Sequence, residues 1–280
     1  MSSILTNNGA MVALQTLKSI NKDLGSTQSM ISTGKSVSNA KDNAAIWAIS
    51  KTMESDVQGF KAISKSLAIG ESTVSVARVA AEAVTENLKS MKEKIIAAQD
   101  GTVDRATLTK DIDALKESIT SIGTAAQFNG VNLVAAGAAD IQVLSSLDRD
   151  NAGTVTAARI DVAAVDLSTT ALTDGTTTLA ALSVATDADA TAALTAIDTM
   201  IQQATDAAAS FGSAGGRIEQ QSDFISKLSD SLKSGIGSLV DADMEEASAR
   251  LQALQVQQQL GVQSLSIANQ APQSILSLFR

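Results

Sequence analysis

Residues 46–98, IWAISKTMESDVQGFKAISKSLAIGESTVSVARVAAEAVTENLKSMKEKIIAA, decide the fold. Every seventh position gives Ile46, Met53, Phe60, Leu67, Val74, Ala81, Leu88 and Ile95, all apolar. The intervening positions are Ile49, Asp56, Ile63, Gly70, Ala77, Val84, Met91 and Ala98, where only Asp56 and Gly70 interrupt the series. This is the seam of a coiled-coil helix. At about 1.5 Å per residue it extends roughly 80 Å, several times an ordinary helix. A chain of separate core helices would carry a breaker within about twenty residues, and none occurs. The expected fold is mostly α: a long antiparallel helical rod, a coiled-coil-like bundle, with a small β-hairpin region and a loop-rich insert.

Upstream, Ala10, Ala13, Leu17, Ile20, Leu24, Thr27 and Ile31 form another three-four seam, which stops near Gly34. Downstream, Gly101 is read as the end of the long helix. Leu108, Ile112, Leu115, Ile119, Ile122 and Ala126 are read as a shorter helix running back along it. Asn129-Gly130 is a turn signal. Ile141-Gln142-Val143 and Arg159-Ile160-Asp161-Val162 alternate as strands do, around the turn cluster 150–153. Asp166 to Asp189 reads as a polar, Thr-rich loop. Helix returns with Ile197, Ile201, Ala204, Ala208 and Phe211, and continues through Ile218, Ile225, Leu232, Ile236 and Leu239, with a soft point expected at Gly215-Gly216. The acidic cluster Asp241, Asp243, Glu245, Glu246 marks the boundary before the tail.

The tail is unusual in its charge. From Leu251 to Phe279 there is no Asp, Glu, Lys or Arg, and Ser2 to Leu17 is equally bare. Glutamines at 252, 255 and 257–259 break up the apolar runs, so no membrane span is expected. Leu251, Leu254 and Leu265 follow one helical stripe, and Val256, Leu260 and Ile267 follow another. An uncharged helix with two apolar stripes needs cover on more than one side. Both ends are therefore expected to be completed by neighbouring copies and to order on assembly.

Composition removes several classes of function. The 280 residues contain no Cys, His or Tyr. No disulfide framework, imidazole zinc site or thiol nucleophile can form, and neither catalysis nor a cofactor is expected. A net charge of −9 and 2% aromatic residues argue against a nucleic-acid partner. Residues 2–16 lack the basic and continuous apolar regions of a cleaved signal peptide. Two decoys are discounted. Gly34-Lys35-Ser36 resembles the end of a phosphate-binding loop, but Ser29 stands where its first glycine belongs. Asp148, Asp150 and Gly153 resemble a calcium loop, but Arg159 stands where a bidentate Glu is needed.

Taken together, motifs at both ends resemble the bacterial flagellins, the subunits of the flagellar filament. They are Ser2-Ser3-Ile4-Leu5-Thr6-Asn7, Met30-Ile31-Ser32-Thr33-Gly34-Lys35, Ala40-Lys41-Asp42-Asn43-Ala44-Ala45 and Gln127-Phe128-Asn129-Gly130 on the N-terminal side. On the C-terminal side they are Arg217-Ile218-Glu219, Asp241-Ala242-Asp243 and the run from Ala268 to Leu278. The resemblance implies a self-polymerising, extracellular structural protein serving swimming motility. It would be a short form, with the variable outer domains reduced to about Asp166–Asp189.

The resemblance also implies a division of the chain: 1–36 an inner-core helix, 37–45 a spoke, 46–130 outer-core helices, 131–190 the hairpin region and insert, 191–240 an outer-core helix, and 241–280 an inner-core helix. Inner-core assembly falls to Leu5, Leu14, Leu17, Ile20, Leu24, Leu254, Leu260, Leu265, Ile267, Ile275 and Leu278, and the spoke to Ala40, Lys41, Asp42 and Asn43. The implied partners are further copies in a helical homopolymer, the flagellar cap, hook-associated junction proteins, the export apparatus and an export chaperone. Flagellins recognised by the animal innate receptor carry an arginine-rich motif with a leucine. The matching region here is Leu88, Lys89, Ser90, Met91, Lys92, Glu93 and Lys94, with Ser90 and Lys94 where that branch has an arginine and the leucine. Weak receptor activation is expected. A hook–filament junction protein is the nearest alternative reading, and a secreted coiled-coil adhesin a weaker one.

Overall fold

A computed structural model describes residues 7–278 apart from 101, 151 and 152, with side chains described as far as residue 270. Leu5 and Gly101, and the side chains of Ile275 and Leu278, lie outside the described residues. Five long helices dominate: α1 (Asn8–Thr33), α2 (Ala44–Ala98), α3 (Arg105–Ala125), α4 (Asp187–Val240) and α5 (Met244–Leu278). Each starts from a polar cap that satisfies its free N–H groups. Asn7 accepts from the Ala10 amide and Asp104 from the Ala106 amide. Asn43 accepts from Ala45 and Ile46, and Asp243 from Glu245 and Glu246. Thr186 and Asp189 cap α4 reciprocally, each side chain accepting from the other's amide at 3.1 Å. Gly34, at φ 69°, closes α1 by donating to the Met30 carbonyl.

Two antiparallel hairpins complete the secondary structure: β1 (Gln127–Phe128) with β2 (Val131–Asn132), and β3 (Ile141–Arg149) with β4 (Val155–Val162). Asn129 and Gly130 both have positive φ, at 52° and 80°, as a two-residue primed turn requires. β3 and β4 run well past the two short alternating segments expected from the sequence, and the register shifts between Leu144 and Ser146.

The described residues form two compact units, one from Met1–Val57 with Asp230–Arg280, the other Gln58–Ser229. In the second, the heptad positions of α2 from Phe60 onward are buried, with Ile63, Leu67, Leu88, Met91 and Ile95 fully so. α3 runs antiparallel to α2, as Asn87 bonds Ser118 and Lys94 pairs with Asp111 at 2.9 Å. α4 lies antiparallel on another side, through Lys92–Asp198 at 2.6 Å and burial of Ala196, Ile197, Met200, Ala204 and Phe211.

Three sequence expectations need correction here. Gly70 is no flaw in the seam: a Cβ there would lie 2.6 Å from Val143 Cγ2, so its absence lets β3 rest directly on α2. Gln221 of α4 donates to the Ser145 carbonyl at 2.9 Å and holds β3 from a second side. The soft point expected at Gly215-Gly216 leaves α4 unbroken, the helix continuing through both. Finally, the polar, Thr-rich loop expected over 166–189 carries a buried apolar side. Leu167, Leu172, Leu179, Leu182 and Val184 are buried, and a 3-10 turn covers Leu179–Ala181. Gln203 accepts from the Thr173 amide and donates to its carbonyl, and α4 starts at Asp187, inside the expected loop.

Candidate assembly site

The first unit brings the two charge-poor ends together. α1 and α5 run antiparallel: Asn7 Nδ2 donates to the Ala268 carbonyl at 2.7 Å, and Gln258 Nε2 donates to Asn21 Oδ1 at 2.7 Å. Between these bonds the helices approach closely. A Cβ on Gly261 would lie 3.2 Å from Leu17 Cδ1 and 3.8 Å from Ile20 Cδ1. On α1 the facing positions are the expected seam, with Ala10, Ala13, Leu17, Ile20 and Leu24 half-buried and Thr27 buried. On α5 they are Ala247 and Leu254, buried, and Leu251, Gln258, Gly261, Leu265 and Ala268, half-buried.

The other stripe of α5 stays open. Leu260 is 56% exposed and Ile267 64%, and Val256 and Val262 are also exposed. On α1, Leu14 is 57% exposed, beside exposed Met11 and Val12. At about 100° per residue, Val256, Leu260 and Ile267 share a face turned well away from Leu254. No charged group interrupts that face from residue 251 onward. The predicted assembly residues thus divide. Leu17, Ile20, Leu24, Leu254 and Leu265 join the two helices, while Leu14, Leu260 and Ile267 project from the pair. The sequence shows both stripes; only the structure separates the covered one from the open one.

The segments between helices are tied to each other. Ser36 donates to the Val240 carbonyl from its amide at 2.7 Å and from its hydroxyl at 3.0 Å. The Ala242 amide donates to the Gly34 carbonyl at 3.0 Å, and Lys35 bridges Asp241 antiparallel. Gly34-Lys35-Ser36 is fully used in this clasp, Lys35 also reaching Glu54 at 3.6 Å. In the adjoining segment 37–45, Asp42 Oδ2 accepts from the Asn39 amide, the Ser38 amide and the Ser38 hydroxyl, at 3.0–3.1 Å. These donors, the Asn39 amide foremost, hold its carboxyl below the usual aspartate value. Ala40 and Lys41 are exposed, and Asn43 is spent on capping α2. The Lys51 side chain beside Glu54, with Lys35 behind it, likewise lowers the Glu54 carboxyl.

Segment 88–94 is largely committed within the unit. Leu88 is fully buried, Lys89 pairs with Glu86, Lys92 with Asp198 and Lys94 with Asp111, while Ser90 and Glu93 face outward. Asp150 accepts from the Thr154 amide, closing the β3–β4 turn. Among the described residues there is no cluster of three groups able to hold a metal ion, and no helix long and apolar enough to cross a membrane. Exposed Phe224 on α4 and exposed Val79 on α2 are surface features that the core periodicity gave no reason to single out.

Comparison with known proteins agrees with these features. The model of the bacterial flagellin N-terminal helical region matches residues 4–139, and that of the C-terminal helical region matches residues 194–279. The chain is 41% identical over 283 residues to flagellin FljM of Caulobacter vibrioides, covering 100% of this chain and 99% of the relative. It is 40% identical over 282 residues to a flagellin of Brucella melitensis, covering 100% of both. A solved structure described as a flagellar hook-associated protein from Vibrio parahaemolyticus shares the fold. Its TM-score is 0.56 at 18% identity, over 71% of this chain and 100% of that one.

Proposed function

The chain belongs to the bacterial flagellin family, and we propose that it polymerises through the open apolar face of its paired end helices. Flagellins are structural subunits of the extracellular flagellar filament. What remains to be assigned is how this chain makes its contacts. The observation that carries the reading is the uncharged face of α5 bearing exposed Val256, Leu260 and Ile267, on the helix whose other stripe already meets α1. Contiguous exposed apolar surface of this kind marks an interaction site. An α1–α5 pair repeated along a polymer would cover it.

In this scheme residues 1–36 and 241–280 supply the inner core, and 37–45, stiffened by Asp42, the spoke. Residues 46–130, 131–190 and 191–240 supply the outer core with its hairpins and short insert. The end helices are looser in the free subunit than in the polymer. Export without a cleaved signal, and contacts with cap, hook-associated junction proteins, export apparatus and chaperone, follow the family pattern. Ser90 and Lys94 make the receptor motif degenerate, so purified subunit is expected to activate receptor-reporter cells only weakly.

Seeded growth tests the reading. Purified chain added to fragments of its own filament should lengthen them without limit, as seen by electron microscopy. A hook–filament junction protein would bind the fragment ends and stop there.

A further inference from the structure

Sulfur chemistry in this chain falls to methionine alone, since its seven Met are accompanied by no Cys. Histidine and Tyr are absent as well, and the single Trp, Trp47, is half-buried. A hydroperoxide converts a solvent-open methionine to its sulfoxide, and a flexible apolar side chain becomes a polar one. The structure sorts the methionines by access. Met91 and Met200 are fully buried in the Gln58–Ser229 unit. Met30 and Met53 are half-buried, and a Cβ on Gly235 would lie 3.3 Å from Met53 Cε. Met1 lies outside the described residues. Met11 on α1 is 56% exposed, and Met244 at the start of α5 is 42% exposed.

We propose that Met11 is an oxidation site that decides whether a subunit can join the polymer: the thioether is open in the free chain, and its sulfoxide keeps that chain out. This inference rests on the filament reading above. The oxidant is a hydroperoxide. The Met11 sulfur gives an electron pair to one peroxide oxygen, and an S–O bond forms as the O–O bond breaks. The proton of the transferred oxygen passes to the departing one, which leaves as water or an alcohol. Sulfur loses two electrons, the peroxide gains two, and no bond of the chain is cut.

Placement decides the effect. At about 100° per residue Met11 lies nearly opposite the seam that meets α5, so only another copy covers it. Its neighbours one turn away along α1 are Asn7, Asn8, Leu14 and Gln15, all uncharged. The nearest charged residue on that side is Lys18, two turns on. An incoming subunit that covers this stretch would have to strip water from the sulfoxide oxygen, a cost that the thioether does not carry. Met244 is the internal contrast. It stands between Asp243 and the pair Glu245 and Glu246, so its sulfoxide stays among hydrated charges.

The chain itself can do the sorting in the test. Free wild-type subunit is treated with dilute hydrogen peroxide until about half the Met11 sulfur is oxidised, then grown on untreated seeds. Filament and leftover subunit are separated and peptide-mapped by mass spectrometry. Met11 sulfoxide should be at least about ten-fold depleted in the filament, with Met244 sulfoxide evenly shared between the two fractions. A methionine sulfoxide reductase added to the leftover subunit should return it to growth. Equal sharing of Met11 sulfoxide overturns the proposal, as does a Met11 that stays reduced while Met244 oxidises. Met11→Leu gives a second reading: its growth after peroxide should match its own untreated rate, whereas Met244→Leu should slow as the wild type does. Untreated wild-type chain that fails to lengthen seeds would instead sink the filament reading on which this one rests.

Discussion

The α1–α5 pair and the helices of the Gln58–Ser229 unit are built on the same three-four spacing, yet they are completed to different degrees. In the latter unit the seam of α2 is covered by α3, α4 and the β3–β4 hairpin, and Ile63, Leu67, Leu88, Met91 and Ile95 lose all contact with water. Its outward faces carry ion pairs such as Arg78–Glu82 and Lys89–Glu86. In the α1–α5 pair only one stripe of each helix is covered, most of it partly, and from residue 251 onward the remaining faces of α5 carry apolar groups and amides in place of charge. Identical periodicity therefore does not imply an equally finished core. What distinguishes the two regions is the composition of the faces off the seam: ion pairs on α2, and apolar groups and amides on α5 from residue 251 onward.

Substitution on the open face should break this contrast most severely. Leu260→Asp places a charge where a neighbour would have to bury it, and filaments should be abolished while the free subunit keeps its circular dichroism and melting temperature. Leu265→Asp should abolish them too, but with a cost to the subunit itself, because Leu265 lies on the stripe that meets α1. Gly70→Val attacks the finished core instead. Its methyl groups would overlap Val143, and we expect a loss of about 1–3 kcal/mol in denaturant unfolding, together with displacement of the β3–β4 hairpin.

A smaller effect is expected in segment 37–45. The Asp42 carboxyl is held below the ordinary aspartate value of 3.8, so its bonds favour the folded linker. A depressed carboxyl contributes fully above its unfolded value and loses that contribution as pH falls through the lower folded value. Protection of residues 38–43 from proteolysis should accordingly persist down to about that ordinary value and fade only below it, whereas Asp42→Ala should be cleaved faster at neutral pH as well. At the lower end, Lys89→Ala removes an exposed pair on α2 and should change stability by no more than about 0.5 kcal/mol.

Much of this architecture is legible in the residues, and the gaps have physical causes. The length of α2, the break at 241–243 and the two stripes of α5 follow from spacing alone, because a helix repeats every 3.6 residues whatever covers it. Gly70 was unreadable because heptad reasoning counts a glycine as a missing knob, and its value depends on a strand that lies more than seventy residues away in sequence. The buried leucines of 167–182 have no period, since irregular backbone points its side chains inward at uneven intervals, and the threonines around them dominate the composition. The soft point expected at Gly215-Gly216 does not break the helix, because helix propensity is a weak term beside packing; α4 rests on α2 there, with the Gly215 Cβ position 3.8 Å from Val74. In the candidate site, periodicity identified both stripes of α5, but choosing the covered one required the position of α1.

The central claim is that the open face of α5 is closed only by other subunits, and a single thiol can report on it. Because the chain has no cysteine, Leu260→Cys introduces the only one. Maleimide labelling of this variant should be fast in the free subunit and strongly suppressed in filaments of the same protein. Equal labelling rates in the two states would contradict the account.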